Sequence, residues 1–207
     1  MPLTYFVSAL TLIVVVDPVG LVPTFLAVTH GSPQEERRGI AARACLIAGA
    51  ILAGTALVGN WLLGVLSITI PAFRIAGGLL LFSVAYEMVL GMRIGRQSKQ
   101  AEDAIEERCS DVAAFPLAIP LMAGPGAITA TLLLAGQART DPLLLAVLLG
   151  TVLFAMAACL VAFFVGTQID RLLGITGNVV LSRLLGVLLA ALAVQFIIDG
   201  VRAALPS

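Results

Sequence analysis

Long apolar runs alternate with short polar connections along all 207 residues of the chain. A bilayer core about 30 Å thick takes roughly 20 apolar residues per helix. Six runs meet that length: residues 5–29, 40–64, 72–92, 113–137, 142–167 and 181–204. The pattern predicts six transmembrane helices and no sheet. One substantial polar break separates three runs from three, which divides the chain into a first three-helix unit (1–92), a polar linker (93–112) and a second three-helix unit (113–207). The run behind Met1-Pro2-Leu3-Thr4-Tyr5 has no basic residue ahead of it and exceeds the apolar length of a secretory signal, so it reads as a retained span.

Composition agrees with the pattern. The chain is 60% hydrophobic and 12% charged, and its mean hydropathy is +1.08, which marks an all-α integral membrane protein. Twelve basic residues balance twelve acidic ones, and with no basic stripe nucleic acid is excluded as a partner. Cys45, Cys109 and Cys159 are odd in number and widely spaced, which suggests neither a disulfide framework nor a metal knuckle. His30 is the single histidine, so a metal site has no support.

The placement of the basic residues is more informative than their number. Arg37, Arg38, Arg43, Arg93, Arg96, Lys99, Arg108, Arg171 and Arg183 fall on one side of the six-span topology, against Arg74, Arg139 and Arg202 on the other. The positive-inside rule then puts the linker in the cytoplasm and both termini outside.

The two units also align with each other. Asp17-Pro18-Val19-Gly20-Leu21-Val22-Pro23-Thr24 lies over Gly124-Pro125-Gly126-Ala127-Ile128-Thr129-Ala130-Thr131, and Arg74-Ile75-Ala76-Gly77 lies over Arg183-Leu184-Leu185-Gly186. From shared proline to shared arginine is 56 residues in one unit (18 to 74) and 58 in the other (125 to 183). A repeated unit with three spans is inverted in its second copy, a transporter signature that places binding near the midplane at broken helices.

Pro18 and Pro125 each fall near the middle of their runs, where a proline removes a backbone bond and interrupts the helix. Because proline suits the first position of a new helix, Asp17 and Gly124 read as caps, with half-helices starting at Pro18 and Pro125. Their N-termini would then converge at the midplane and favour an anion. Gly20, Gly124 and Gly126 allow close backbone approach, Val19 adds its N–H, and Thr24, Thr129 and Thr131 supply hydroxyls. Unwound carbonyls before each proline suit a cation or an ammonium. Together these features fit a small zwitterion.

Blander readings stand beside these. The prolines would merely kink the helices, Asp17 would only cap, and the threonines would bond back to their own helices. An intramembrane acid is nonetheless a functional candidate, and Asp17, with Glu87 as a deeper alternative to Asp199, is the candidate for coupling to H+ or Na+. Arg74 and Arg183 are explained by snorkelling, or else by a gate or an ion pair with the other unit. Small residues at Ala50/Gly54 and Gly77/Leu81/Ala85 are expected to let helices approach closely.

At these motifs the chain resembles the MarC family of six-span bacterial inner-membrane proteins. The matching blocks are Asp17-Pro18-Val19-Gly20-Leu21-Val22-Pro23, Phe73-Arg74-Ile75-Ala76-Gly77-Gly78, and Phe115-Pro116-Leu117-Ala118-Ile119-Pro120-Leu121-Met122-Ala123-Gly124-Pro125-Gly126-Ala127-Ile128-Thr129. The resemblance implies a multi-pass inner-membrane protein that moves small neutral amino acids such as alanine, glycine or serine. A channel for small neutral solutes is the alternative expectation. An intramembrane enzyme has no motif behind it: neither His-Glu-x-x-His nor Gly-x-Ser-x-Gly occurs, and no cofactor is implied.

Overall fold

The computed structural model describes residues 10–92, 95, 99, 113–137 and 142–205. The expectations for the first nine residues, for most of the linker, including Cys109, and for Arg139 lie outside the described residues. What is described is helical, with no strand among the described residues. The elements are α1 (residues 10–16), α2 (Val22–Val28), α3 (Gln34–Val65), α4 (Ile70–Leu90), an irregular segment Ala113–Met122, α5 (Pro125–Gln137), α6 (Pro142–Phe164) and α7 (Gly166–Ala204).

Among the described residues, four stretches are long and apolar enough to cross a bilayer: Gln34–Gly59, Ile70–Leu90, Pro142–Phe164 and Val179–Ala204. The pair Ala113–Met122 and Pro125–Gly136, bent by 56° at the break between them, passes the same length and composition test only when taken together, as a broken span or a re-entrant loop. The first expected span is described as α1 and α2, two short pieces on either side of a break at residues 17–21. Helices α3 and α7 begin well ahead of their apolar runs, because polar residues such as Gln34, Glu35 and Glu36 extend a helix as readily as apolar ones.

Local chemistry explains the ends. Ser67 closes α3 at φ 54°, its N–H bonding to the Gly64 carbonyl at 3.1 Å while the Ile68 N–H bonds to that of Leu63 at 2.9 Å. Thr69 caps α4 by accepting from the Ala72 N–H at 3.3 Å, with Pro71 in the first turn. Gly91, at φ 75°, ends the same helix in the left-handed conformation that glycine adopts without strain. Threonines inside the bundle satisfy themselves: the hydroxyls of Thr55, Thr131 and Thr151 donate to the carbonyls of Ile51, Ala127 and Val147 at 2.7–2.8 Å.

The most extensive packing joins α4 to α7, one helix from each unit. Three glycines make the approach possible. A Cβ on Gly78 would lie 2.8 Å from the Ala193 carbonyl oxygen, one on Gly186 would lie 3.1 Å from that of Ala85, and one on Gly200 would lie 2.9 Å from that of Pro71. As residue numbers rise along α4 they fall along α7, so the two helices are antiparallel. The contacts at their ends are reciprocal: Gly200 lies against the Cβ of Arg74, while the Cβ position of Gly91 is 3.6 Å from Nη2 of Arg183.

Helix α3 packs on α6, α5 and the irregular segment, again across the division between the units. The expected close packing at Gly77, Leu81 and Ala85 is present, all three being buried. The expectation for Ala50 and Gly54 is corrected. Ala50 is exposed and nothing lies within 4 Å of a Cβ on Gly54, because that stripe of α3 faces away from the bundle.

Apolar side chains cover the outside as well as the core. Leu46 is 73% exposed, Leu153 70%, Trp61 67% and Phe154 62%. Such a surface is stable only against lipid.

Candidate functional site

The first break is built by Asp17. This residue is 3% exposed and has φ 54°, a left-handed conformation that Asp and Asn tolerate better than other side chains. Its backbone N–H still closes α1 on the Ile13 carbonyl at 2.9 Å, and its own carbonyl accepts from Leu21 at 3.2 Å. Oδ1 accepts the N–H of Gly20 at 3.0 Å. A Cβ on Gly20 would fall on the Asp17 carboxylate, so the capping bond requires glycine there.

This arrangement corrects the expected start of the first half-helix. Residues 18–21 form a turn and α2 begins at Val22, with Pro23 in its first turn. The Gly20 N–H, expected to face an anion, is committed to Asp17. Pro18 and Val19 are half-buried and Thr24 is 4% exposed, on the buried side of α2.

The second break is built by prolines and glycine. Phe115 (φ −134°, ψ 127°) and Ile119 (φ −127°, ψ 123°) are extended, and each is joined to the following proline by a cis peptide bond. Gly124 is buried, and a Cβ there would fall on the Pro120 carbonyl. Its carbonyl accepts from the Ile128 N–H at 3.0 Å, which starts α5 with Pro125 in the first turn. Gly126 and Ala127 occupy that same turn, where backbone N–H groups have no acceptor one turn back within the helix. Pro125 is exposed, while Gly126 and Thr129 are buried.

The two breaks adjoin. The Cβ position of Gly126 lies 3.3 Å from Cγ1 of Val15 on α1 and 3.1 Å from Cγ2 of Val84 on α4. Thr129 turns its methyl toward α4, 2.8 Å from where a Gly77 Cβ would stand, and Thr131 spends its hydroxyl on Ala127. Val15, Gly77 and Val84 were not among the expected site residues. Gly77 did carry a signal, its place in the repeated Arg-x-x-Gly, whereas the two valines look like any other apolar residue.

Among the remaining charged candidates, Glu87 stands one turn beyond Val84, the α4 residue that meets Gly126. Glu87 is half-buried on α4. Asp199 accepts from Nε2 of Gln195 at 2.8 Å, one turn earlier on α7. Arg74 is half-buried, and its Nε is buried without a hydrogen-bond partner among the described residues. No group of three or more His, Cys, Asp or Glu able to hold a metal occurs among the described residues.

The chain matches the family model described as MarC family integral membrane protein over residues 3–205. It is 36% identical to a UPF0056 membrane protein of Methanocaldococcus jannaschii over 206 residues, covering 99% of this chain and 100% of that one. A UPF0056 membrane protein of Archaeoglobus fulgidus is 38% identical over 197 residues, 95% of this chain and 91% of the relative. The UPF0056 membrane protein YhcE of Escherichia coli is 34% identical over 206 residues, 98% and 94% of the two chains. No solved structure matches. With matching relatives along almost its whole length and helices clothed in apolar side chains, the chain belongs to the MarC family of multi-pass integral membrane proteins.

Proposed function

We propose that the protein is a secondary transporter of small neutral amino acids of the alanine, glycine and serine class, working in an inner membrane with its linker in the cytoplasm and its termini outside. The observation that carries the reading is the contact of Gly126 with Val15, which brings a buried carboxylate and the N–H-bearing start of α5 into one neighbourhood. A zwitterion needs both. Its carboxylate is held by the N–H groups of Gly126 and Ala127 behind Pro125, with Gly124 giving room and Thr129 beside them. Its ammonium, or a coupling H+ or Na+, faces Asp17, whose turn through Pro18, Val19 and Gly20 keeps the carboxylate in place beside Thr24.

The wish of the first break for an anion is already met by Asp17, so a second carboxylate there would be repelled. The acid occurs in one repeat and the open helix start in the other. That asymmetry suits a substrate with opposite charges at its two ends.

The reciprocal end contacts, Gly200 on Arg74 and Gly91 near Arg183, support two inverted three-helix repeats, since a two-fold axis exchanges one contact with the other. In this reading the glycine-packed α4–α7 pair is the scaffold, and the broken helices move against it to open the site to either side. Glu87, on α4, is the reserve candidate for proton coupling. Uptake of labelled alanine or glycine by the reconstituted protein tests the proposal; non-saturating flux would select a channel instead.

A further inference from the structure

At the end of the molecule where α2 runs into α3 and α6 into α7, a cleft of about 60 Å³ is lined by Phe25, Gln34, Arg37, Arg38, Phe163, Phe164 and Thr167. Two of the seven are cations and none is an acid. Both guanidinium groups are held in place by other side chains. Nε of Arg37 donates to Oγ1 of Thr29 at 3.2 Å, and that hydroxyl in turn donates to the Phe25 carbonyl at 2.7 Å, which leaves the Nη groups of Arg37 as its remaining donors. Arg38 sits over the Phe164 ring, 5.9 Å from its centroid. The apolar wall is firm: the rings of Phe25 and Phe163 stack with centroids 4.4 Å apart and 16° between planes.

Two arginines lining one cleft without an acid among its lining residues make it a favourable seat for an anion. A phosphate suits it well, since guanidinium forks match its oxygens. The surroundings say which kind of phosphate. Val161 is 59% exposed, Phe164 50% and Val165 39%, so the cleft opens beside an apolar surface at the end of two membrane-crossing stretches. Glu35 and Glu36, on the same turn of α3, are exposed and outside the lining.

We infer that this cleft binds the phosphate headgroup of an anionic phospholipid, with Arg37 and Arg38 on the phosphate and the acyl chains along Val161, Phe164 and Val165. Basic pockets between helices at the cytoplasmic leaflet are the usual seat of such lipids, and Arg37 and Arg38 lie on the side that the basic residues assign to the cytoplasm. The inference stands apart from the transported substrate. It links the lipid to the first break, because Phe25 belongs to the same short helix as Thr24.

Native mass spectrometry of the purified protein titrated with phosphatidylglycerol, phosphatidylcholine or inorganic phosphate tests it. Phosphatidylglycerol is expected to bind in preference to phosphatidylcholine. R38Q, at an exposed position that folding tolerates, should weaken phosphatidylglycerol binding by roughly tenfold, the loss of one charge-assisted bond, and R37Q/R38Q should weaken it further. R43Q, an exposed arginine of α3 outside the lining, should bind as the parent does. Equal binding of the two lipids, or equal loss in R43Q and R38Q, would overturn the site. Binding of inorganic phosphate that R38Q abolishes, with no preference for phosphatidylglycerol, would overturn the lipid assignment and give the cleft to a soluble phosphate.

Discussion

Oδ1 of Asp17 accepts the backbone N–H of Gly20 at 3.0 Å, inside a turn whose first residue has φ 54°. Two features meet in that one side chain, a cap that builds the break and an acid buried in an apolar bundle. Substitutions can separate them. Asn keeps an acceptor oxygen and tolerates the left-handed backbone, whereas Ala keeps neither advantage. D17N is expected to unfold at nearly the parent's temperature, and D17A to lose about 1–2 kcal/mol, read as a lower melting temperature in detergent. Transport should fall in both, and any pH dependence carried by Asp17 should vanish in D17N. A D17N protein that transports with unchanged rate and pH profile would reduce Asp17 to a cap.

The same turn makes a second expectation quantitative. A Cβ at position 20 collides with the Asp17 carboxylate, so G20A should be destabilised by about 1–3 kcal/mol. In D17A the collision is gone, and adding G20A should cost much less. Thermal unfolding of the four proteins closes this double-mutant cycle. Additive effects would mean that the two residues do not share the turn as described.

Glycines that look alike in the sequence should behave differently. At Gly78 a new Cβ would stand 2.6 Å from Cγ1 of Ile197 and 2.8 Å from the Ala193 carbonyl, while at Gly54 nothing lies within 4 Å. G78A is therefore expected to lose about 1–3 kcal/mol by forcing α4 and α7 apart. G54A should be neutral or gain up to about 1 kcal/mol of helix propensity. Melting temperatures of the two variants, measured side by side, check the scaffold.

The all-helical character and both breaks were legible, because a run of apolar residues and a proline inside it are local signals; of the six expected spans, four stretches and one bent pair pass as apolar spans among the described residues. The resemblance to the MarC family was legible too, through the block from Phe115 to Thr129. Where α2 begins was not: Pro18 and Pro23 both suit a helix start, and the choice rests on the side-chain bond from Gly20 to Asp17 that closes the turn between them. The polar starts of α3 and α7 escaped hydropathy, which sees the lipid-facing stretch and not the whole helix. Ala50/Gly54 and Gly77/Leu81/Ala85 have the same small-residue spacing, yet only the second faces a neighbour, and which face a helix turns inward is decided by the other helices. The arginine cleft joins residues from Phe25 to Thr167 and has no signature in any single window.

Burial gives a chemical handle on the packing of α3 against α6. Cys45 is 7% exposed and Cys159 is fully buried, both as free thiols. In folded protein neither should react with a maleimide on a timescale of minutes, and both should react after denaturation. Peptide mapping by mass spectrometry distinguishes the positions. Rapid modification of Cys159 in the native protein would contradict the packing of α6 into the core.

The most direct test of the central claim is uptake of radiolabelled alanine into liposomes containing the purified protein, under imposed proton or sodium gradients and with or without unlabelled alanine inside. Saturable uptake, accelerated by internal alanine and strongly reduced by D17N, is the expected result. No uptake of alanine, glycine or serine under any gradient, or flux that neither saturates nor responds to internal substrate, would contradict it.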